Sequence, residues 1–474
     1  MTVKAYNDMV AIMRAGLVSG GGLKYRRLCE AVVAGIDSGR IAPGGKLPPH
    51  RWLSYQLGVT PGTISRAYGE LERLGLVVAR VGDGTFVRQS GVERQRDEGF
   101  RNADDEAATC LDMSRNMHIP VGEPDLLGRS LQALAGDPQA LGVLGGYAPE
   151  QGYLRHRQAG ADWMSHAGFV ADPARVICVN GGQHGLLCAL MGLFRAGDTL
   201  VTECLTYPGL ISAARMLGLR LVGLEMDEQG VLPAALDEAC RAHRVAALYC
   251  TPTLQNPTAA VLDGRRRQAL VEICRQHNLL ILEDEADGVL LRERPLPLSD
   301  FAPERTVMLA SLSKALSSGL RVGYLHAPQP LVSRLAAAVR ATCWMATPLM
   351  QELAARWIED GTAARLLARQ IDEVARRKAL VVDRLAGLAY RTHARSPHFW
   401  IEVPAPWRAS QIERELRACG YRIATAEAFA AGQGAVPQFV RASVCNQVAD
   451  DGRLIAGFTA LAAALKQDEV HGLG

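Results

Sequence analysis

No two of the eleven cysteines in this 474-residue sequence stand two or three positions apart. That spacing excludes a C-x-x-C redox or zinc motif, and no metal is expected. Their number is odd and most lie in apolar runs such as "LYC" and "VEIC", the pattern of thiols kept reduced in a cytoplasmic protein. No stretch of 18 uncharged apolar residues occurs, and the opening "MTVKAYNDMVAIMRAGLVSGGG" has no apolar run leading to a cleavage-like site. Neither a membrane span nor a signal peptide is expected. A net charge of +3 excludes a chain that coats nucleic acid along its whole length. Internal repeats are lacking too.

What is present divides into parts. The composition, 48% apolar and 21% charged, is that of a globular protein, and 474 residues are too many for one core. From Gln89 to Cys110, "QSGVERQRDEGFRNADDEAATC" holds nine charged residues in 22 and almost no large apolar ones. This is the composition of a hydrated linker. It separates an N-terminal unit over 23–90 from a C-terminal unit over 111–469, with the linker over 91–110.

The C-terminal unit alternates short apolar runs with longer amphipathic stretches. The runs are "RVICVN" (175–180), "TLVTEC" (199–204), "LRLVGLEM" (219–226), "VAALYC" (245–250), "LLILED" (279–284), "TVMLAS" (306–311) and "VGYLHA" (322–327). Alternation of this kind predicts an α/β unit with a mostly parallel sheet covered by helices on both faces. From about Ala363 onward the text is helix-rich with isolated strands, "HFWIEVP" and "FVRASV", and predicts a smaller α+β domain.

Charge is concentrated at the other end. Between Leu23 and Arg88 ten basic residues face five acidic ones, a net of +5, as a phosphate-binding face requires. "YRRLCEAVVAGIDSG" reads as an amphipathic helix closed by Gly39, and "GGKLPPHRWLSYQLG" as a turn and a second helix. "VTPGTISRAYGELERLG" offers Thr60 as N-cap, Pro61 at the first helical position and Gly75 as the stop. "LVVARVGDGTFVR" reads as a hairpin with "GDG" at its tip. The segment resembles the GntR-family winged helix-turn-helix. The resemblance implies major-groove contact by the second helix of the pair and minor-groove contact by the wing. It places double-stranded operator DNA against Arg51, Thr60, Thr63, Ser65, Arg66, Tyr68, Gly84 and Thr85. Where the family commonly opens its recognition helix with Ser-Arg, this chain has Thr60-Pro61.

In "SLSKALSSGLRVGY", Lys314 follows a strand and stands between serines, with Arg321 seven residues on. A buried lysine is costly as a free cation, and an imine with an aldehyde cofactor relieves that cost. A lysine snorkelling from a strand end is the plain alternative, so other residues have to corroborate the site. Asp284 ends "LLILED" where a carboxylate could keep a pyridine nitrogen protonated. Asn256 in "TPTLQNPT" fits a donor to a ring hydroxyl, and Gly182 and Gln183 open a helix where a phosphate could sit. Tyr207 in "ECLTYPG" could stack on a ring.

From about Leu111 to Leu465 the chain resembles a fold-type-I, aspartate-aminotransferase-like domain. With the winged helix ahead of it, the whole is similar to the MocR subfamily of GntR-family transcriptional regulators. The resemblance implies pyridoxal 5'-phosphate as cofactor and Lys314 as its Schiff-base lysine. Asp284 would partner the pyridine nitrogen and Asn256 the ring hydroxyl, with Tyr207 stacked. Gly182, Gln183, Ser311, Ser313 and Arg321 would hold the phosphate. Tyr147 in "YAPEQG" would reach the phosphate of the other subunit of a homodimer, and Arg441 would clamp a ligand's α-carboxylate. His184 and His398 are expected to pack rather than to catalyse.

One departure bears on function. Two or three positions after the aspartate, where the family usually has a tyrosine, stand Ala286 and Asp287. Milder changes are "NPTA" for the usual "NPTG" and "SSGL" where a proline often precedes Gly-Leu. Together they favour a sensor over a catalyst: a regulator that detects the cofactor, an amino acid or an amine through an aldimine at Lys314. The alternative is a working aminotransferase carrying a DNA-binding extension. A scaffold that binds no cofactor ranks last, because the site residues are largely intact.

Overall fold

The computed structural model describes residues 3–18, 23–37, 40–42, 44–74, 76–80, 84–87, 110–432, 435–447 and 450–466. In the N-terminal unit, α1 (Val3–Val18) and α2 (Lys24–Asp37) are followed by α3 (His50–Leu57), α4 (Pro61–Arg73) and a hairpin of β1 (Val77–Arg80) and β2 (Gly84–Val87). Gly58, left-handed at φ 63°, ends α3 by donating its N–H to the Ser54 carbonyl. Thr60 caps α4 as expected, its side chain accepting from the Thr63 N–H at 3.3 Å, with Pro61 in the first turn. Ile64, Ala67, Tyr68 and Leu71 form the buried face of α4 and pack with Leu28, Val32 and Leu53.

The unit extends upstream of the expected start at Leu23 to include α1. Met9, Val10 and Met13 are buried in the same core, so α1 belongs to the unit it precedes. Gly39, Gly75, the hairpin tip at Gly82 and Asp83, and the expected linker up to Thr109 lie outside the described residues.

All seven apolar runs of the C-terminal unit enter one sheet. They are β3 (Val176–Val179), then, after helix α5 (Gly182–Leu193), β4 (Thr199–Glu203), β5 (Arg220–Leu224), β6 (Val245–Cys250), β7 (Leu280–Asp284), β8 (Thr306–Ser311) and β9 (Gly323–His326). The spatial order is β3-β9-β8-β7-β6-β4-β5. Every neighbouring pair is parallel except those made by β9, which runs antiparallel to both β8 and β3. Alternate residues of β8 go to opposite faces, which is why the run is apolar throughout. Val307 and Leu309 pack with Leu186, Leu190 and Leu335, whereas Met308 and Ala310 pack with Trp357 and Leu366.

The smaller domain contains β10 (His398–Glu402) and β11 (Phe439–Ser443), paired antiparallel and flanked by Tyr390–Arg391 and Ala424–Thr425. Its expected start near Ala363 is incomplete. Leu111–Asp112 pairs in parallel with Tyr421–Arg422, and Leu111 and Met113 are buried with Phe399, Val440 and Phe458. The first residues after the linker therefore join the last part of the chain, a pairing that local sequence pattern does not encode. An ion pair, Arg408 Nη2 to Glu72 Oε2 at 2.8 Å, ties this domain to the N-terminal unit. No helix among the described residues is long and apolar enough to cross a membrane.

Candidate cofactor site and DNA-binding face

Parallel strands turn into their following segments at their carboxyl ends, so a sheet of this kind gathers loop residues along one edge. Here β7 ends in Asp284 and β8 in Ser311, while the segments after β3, β4 and β6 bring Gly182, Tyr207 and Asn256. They meet at a cleft of about 150 Å³ whose wall also includes Gln183, Ser313, Lys314 and Arg321, with Thr251, Ala286, Asp287 and Leu309 between them.

Lys314 stands three residues past β8. It is half-buried, not buried as the sequence suggested, and its Nζ donates to the carbonyl of Asn116. Its buried neighbours Leu312, Ala315 and Leu316 fix the loop, so loop packing rather than desolvation places the amine. His118 braces the same loop, one ring nitrogen on Ser318 Oγ at 2.9 Å and the other on Glu123 Oε1 at 3.1 Å.

Asp284 is buried, and burial raises its carboxyl to about 6 against the pull of two hydrogen bonds. Those bonds come from the Tyr249 hydroxyl at 2.7 Å and the Ala286 N–H at 3.0 Å. Asn256 accepts from Arg441 Nη1 at 2.5 Å through its Oδ1, which leaves the amide nitrogen as the donor for the cleft.

The other end of the cleft suits a phosphate. Gly181, at φ 83° and ψ 168°, precedes α5, whose first N–H groups have no partners within the helix. A Cβ at Gly181 would stand 2.5 Å from Arg321 Nη2. Arg321 is held by Ser313 Oγ at 3.3 Å and the Ser318 carbonyl at 3.2 Å, and the Ser313 N–H donates to Ser311 Oγ at 3.2 Å. Tyr207 is half-buried, its phenol pushed up to about 12 by burial and by Asp284 and Asp287.

Two expected residues are not at the cleft wall. Tyr147 is 80% exposed beside Trp344, with ring centroids 5.8 Å apart, so a single chain does not bring it to the site. Arg441 is fully buried behind Asn256, with Nη2 on the Ser114 carbonyl, and burial lowers it to about 10. Sequence reasoning also missed Tyr249, which lies inside the apolar run "VAALYC" and reads as core. His184 packs between the Asn180 N–H at 3.0 Å and Thr342 Oγ1 at 2.8 Å. His398 is buried between the Pro257 carbonyl at 2.7 Å and Asn116 at 2.9 Å.

The donor set fits pyridoxal phosphate. An amine, a buried carboxylate, an amide donor, an aromatic face and a guanidinium beside a helix start are present, and only a glycine admits the arginine.

On the N-terminal unit, Arg51, Thr60, Ser65 and Arg66 are exposed and Thr63 is half-exposed. The Thr60 and Thr63 hydroxyls lie 2.9 Å apart, and Ser65 Oγ meets His50 Nδ1 at 3.1 Å. Gly84, at φ 110°, and Thr85 sit in β2. Tyr68 is a correction: it is 4% exposed, and its hydroxyl donates to the Pro48 carbonyl at 2.9 Å. It fixes α4 on the turn before α3 and presents nothing to DNA. Arg66 borders a groove whose far wall includes Arg408, Gln438 and Phe439.

Residues 124–452 match the aminotransferase class I and II family, and residues 24–87 match the gntR family of bacterial regulatory proteins. Among curated proteins the chain is similar to the HTH-type transcriptional regulator TauR of Rhodobacter capsulatus, 28% identical over 86% of this chain and 90% of that one. It is also similar to the HTH-type pyridoxine biosynthesis transcriptional regulator PdxR of Corynebacterium glutamicum, 29% identical over 76% and 79%. Among solved structures, an archaeal alanine:glyoxylate aminotransferase superposes with a TM-score of 0.70 at 19% identity, over 80% of this chain and 95% of that one. The α-aminoadipate aminotransferase LysN of Thermus thermophilus does so with 0.68 at 23%, over 78% and 96%.

Proposed function

The chain belongs to the aminotransferase class I and II family, and from that premise we propose that it is a pyridoxal-phosphate-responsive transcriptional regulator. Its gntR-type unit holds operator DNA, and its aminotransferase-like unit senses the cofactor together with an amino acid or amine. The observation that carries this reading is one cleft that gathers Lys314, Asp284, Asn256 and Arg321 in a chain whose first unit folds as a capped helix pair with a hairpin.

When bound, pyridoxal phosphate supplies an aldehyde for amines and a ring that draws off electrons. Lys314 provides the amine that holds it, and Asp284 the charge that keeps a ring nitrogen protonated. Gly181, Arg321 and the start of α5 anchor an anion. Asn256, oriented by Arg441, offers one hydrogen-bond donor.

Strand β11 supports a link between ligand and DNA. Phe439 at its start borders the groove beside Arg66, and Arg441, two residues on, bonds Asn256 in the cleft. A ligand that shifts Asn256 therefore acts on the strand whose first residue lines that groove, and this is the route by which the two affinities are coupled in this proposal. The reading includes a homodimer formed through the exposed Tyr147 and Trp344 face, and a cytoplasmic location, where the operator is.

The test is operator binding by the native chain and by Lys314→Ala, each with and without cofactor plus amine. The native affinity is expected to shift with ligand and that of the variant to stay constant; an equal shift in both would defeat the proposal. Slow transamination is a second reading, favoured by the intact Lys314 and Asp284 pair, and steady turnover of an amino acid with a keto acid would establish it.

A further inference from the structure

Glu72, in the last turn of α4, reaches two elements with one carboxylate. Its Oε1 accepts from the Ala79 N–H of β1 at 3.4 Å, and its Oε2 accepts from Arg408 Nη2 at 2.8 Å. Ala79 stands opposite Thr85 across the hairpin. One side chain therefore joins α4, the wing and the smaller domain. The contact lies at the carboxyl-terminal end of α4, whereas Thr60, Thr63 and Arg66 occupy its other half. The end offered to DNA stays free.

On the far side, Arg408 is the N-cap residue of the helix Ala409–Ala418. The Ala409 N–H donates to Oε1 of Gln438 at 2.9 Å, and the buried Gln438 immediately precedes β11. Arg441 on β11 bonds Asn256 in the cleft wall. Hydrogen bonds thus run in series from the cleft, through β11 and the start of that helix, to α4 and the wing. The step between the two units is the soft one. Arg408 and Glu72 are 32% and 29% exposed in their side chains, and water screens such pairs so that they add little to stability. A bond that opens easily is one that a small movement of its neighbours can make or break.

Resting on the regulator reading above, we propose that Glu72 and Arg408 are positioning residues for operator binding. Their ion pair sets where the DNA-binding unit stands on the smaller domain, and a ligand at the cleft alters operator affinity by shifting that pair.

The experiment measures operator affinity of the full-length protein with and without pyridoxal phosphate, alone and with the common amino acids or putrescine added. The ratio of the two affinities is the coupling, expected to be roughly fivefold or more in the native chain. Arg408→Gln and Glu72→Gln should each bring it below about twofold, and the double variant should lose no more than either single one. Arg408→Lys, which keeps the charge, should retain more of the coupling than Arg408→Gln. Neither residue lines the cleft, so cofactor affinity without DNA, read from the visible band, should change less than about twofold. A coupling that survives in Arg408→Gln, or losses that add in the double variant, would overturn the assignment and leave the regulator reading standing, because native operator affinity still answers to ligand. The two Arg408 variants decide alone if Glu72→Gln does not fold. A native affinity that none of these ligands shifts overturns the assignment together with the regulator reading beneath it.

Discussion

The hydroxyl of Tyr249 donates to Oδ2 of Asp284 at 2.7 Å across neighbouring parallel strands. Burial and the adjacent carboxylate hold the phenol protonated, so the direction of the bond is fixed. It orients the carboxylate edge that faces the cleft and opposes the effect of burial on its charge. Tyr249 is a positioning residue: it reaches the cofactor site only through Asp284.

Tyr249→Phe removes that donor while keeping the ring in the core. A hydrogen bond to a charged group is worth about 1.5–3 kcal/mol, so affinity for pyridoxal phosphate should fall by roughly tenfold or more. The fall should steepen below neutral pH, where Asp284 is more easily protonated without its donor. Titration of the visible cofactor band at two pH values measures both, and an unchanged affinity would remove Tyr249 from the site.

Gly181→Ala tests the phosphate cradle. At φ 83° and ψ 168° the backbone is in a region essentially reserved for glycine, at a cost of order 1–3 kcal/mol for another residue. The new Cβ would also collide with Arg321. Cofactor affinity is expected to drop roughly tenfold or more. Retention of native affinity would place the phosphate elsewhere.

The pH dependence of the cofactor-free chain follows from Asp284, which titrates at about 6 when folded against roughly 3.9 for a solvated aspartate. The folded state keeps a proton that the unfolded chain releases, so this contribution to stability is fully present below about pH 4 and is lost as pH rises through about 6. Asp284→Asn removes the loss. The cofactor-free variant should be more stable than the native chain by up to about 3 kcal/mol near neutral pH, with the two converging in acid. Denaturant unfolding across that pH range checks the sign.

For the N-terminal unit, exposed and buried candidates should separate. Arg51→Ala should weaken operator binding and lower the dependence of log affinity on log salt by roughly one. Tyr68→Phe should leave that slope alone and cost about 1 kcal/mol of folding stability, since the Pro48 carbonyl loses its donor. A change of operator preference in Tyr68→Phe would return that residue to the DNA-binding face.

Much of this was legible in the sequence because its causes are local. Each of the seven strands of the main sheet is an apolar run fixed by its own residues, and the Thr60-Pro61 helix start is an N-cap that needs only its next turn. Asp284 could be singled out because it ends a strand, and Lys314, Asn256 and Arg321 because they follow one, and strand ends of a parallel sheet converge. Where sequence reading failed, the cause was distant in the chain. Met9 and Met13 show no sign of belonging to a core that is completed by Ile64. Leu111 gives no hint of pairing with Tyr421. Tyr68 and Arg66 differ by two residues on one helix, yet one is buried and the other exposed, because α3 covers only one side. By itself the sequence determined which elements form and which chemistry they carry. Only the tertiary structure decided that Tyr249 holds Asp284 and that Arg441 stands behind Asn256. The physical reason is that side-chain hydrogen bonds and burial depend on what other segments bring to the same place.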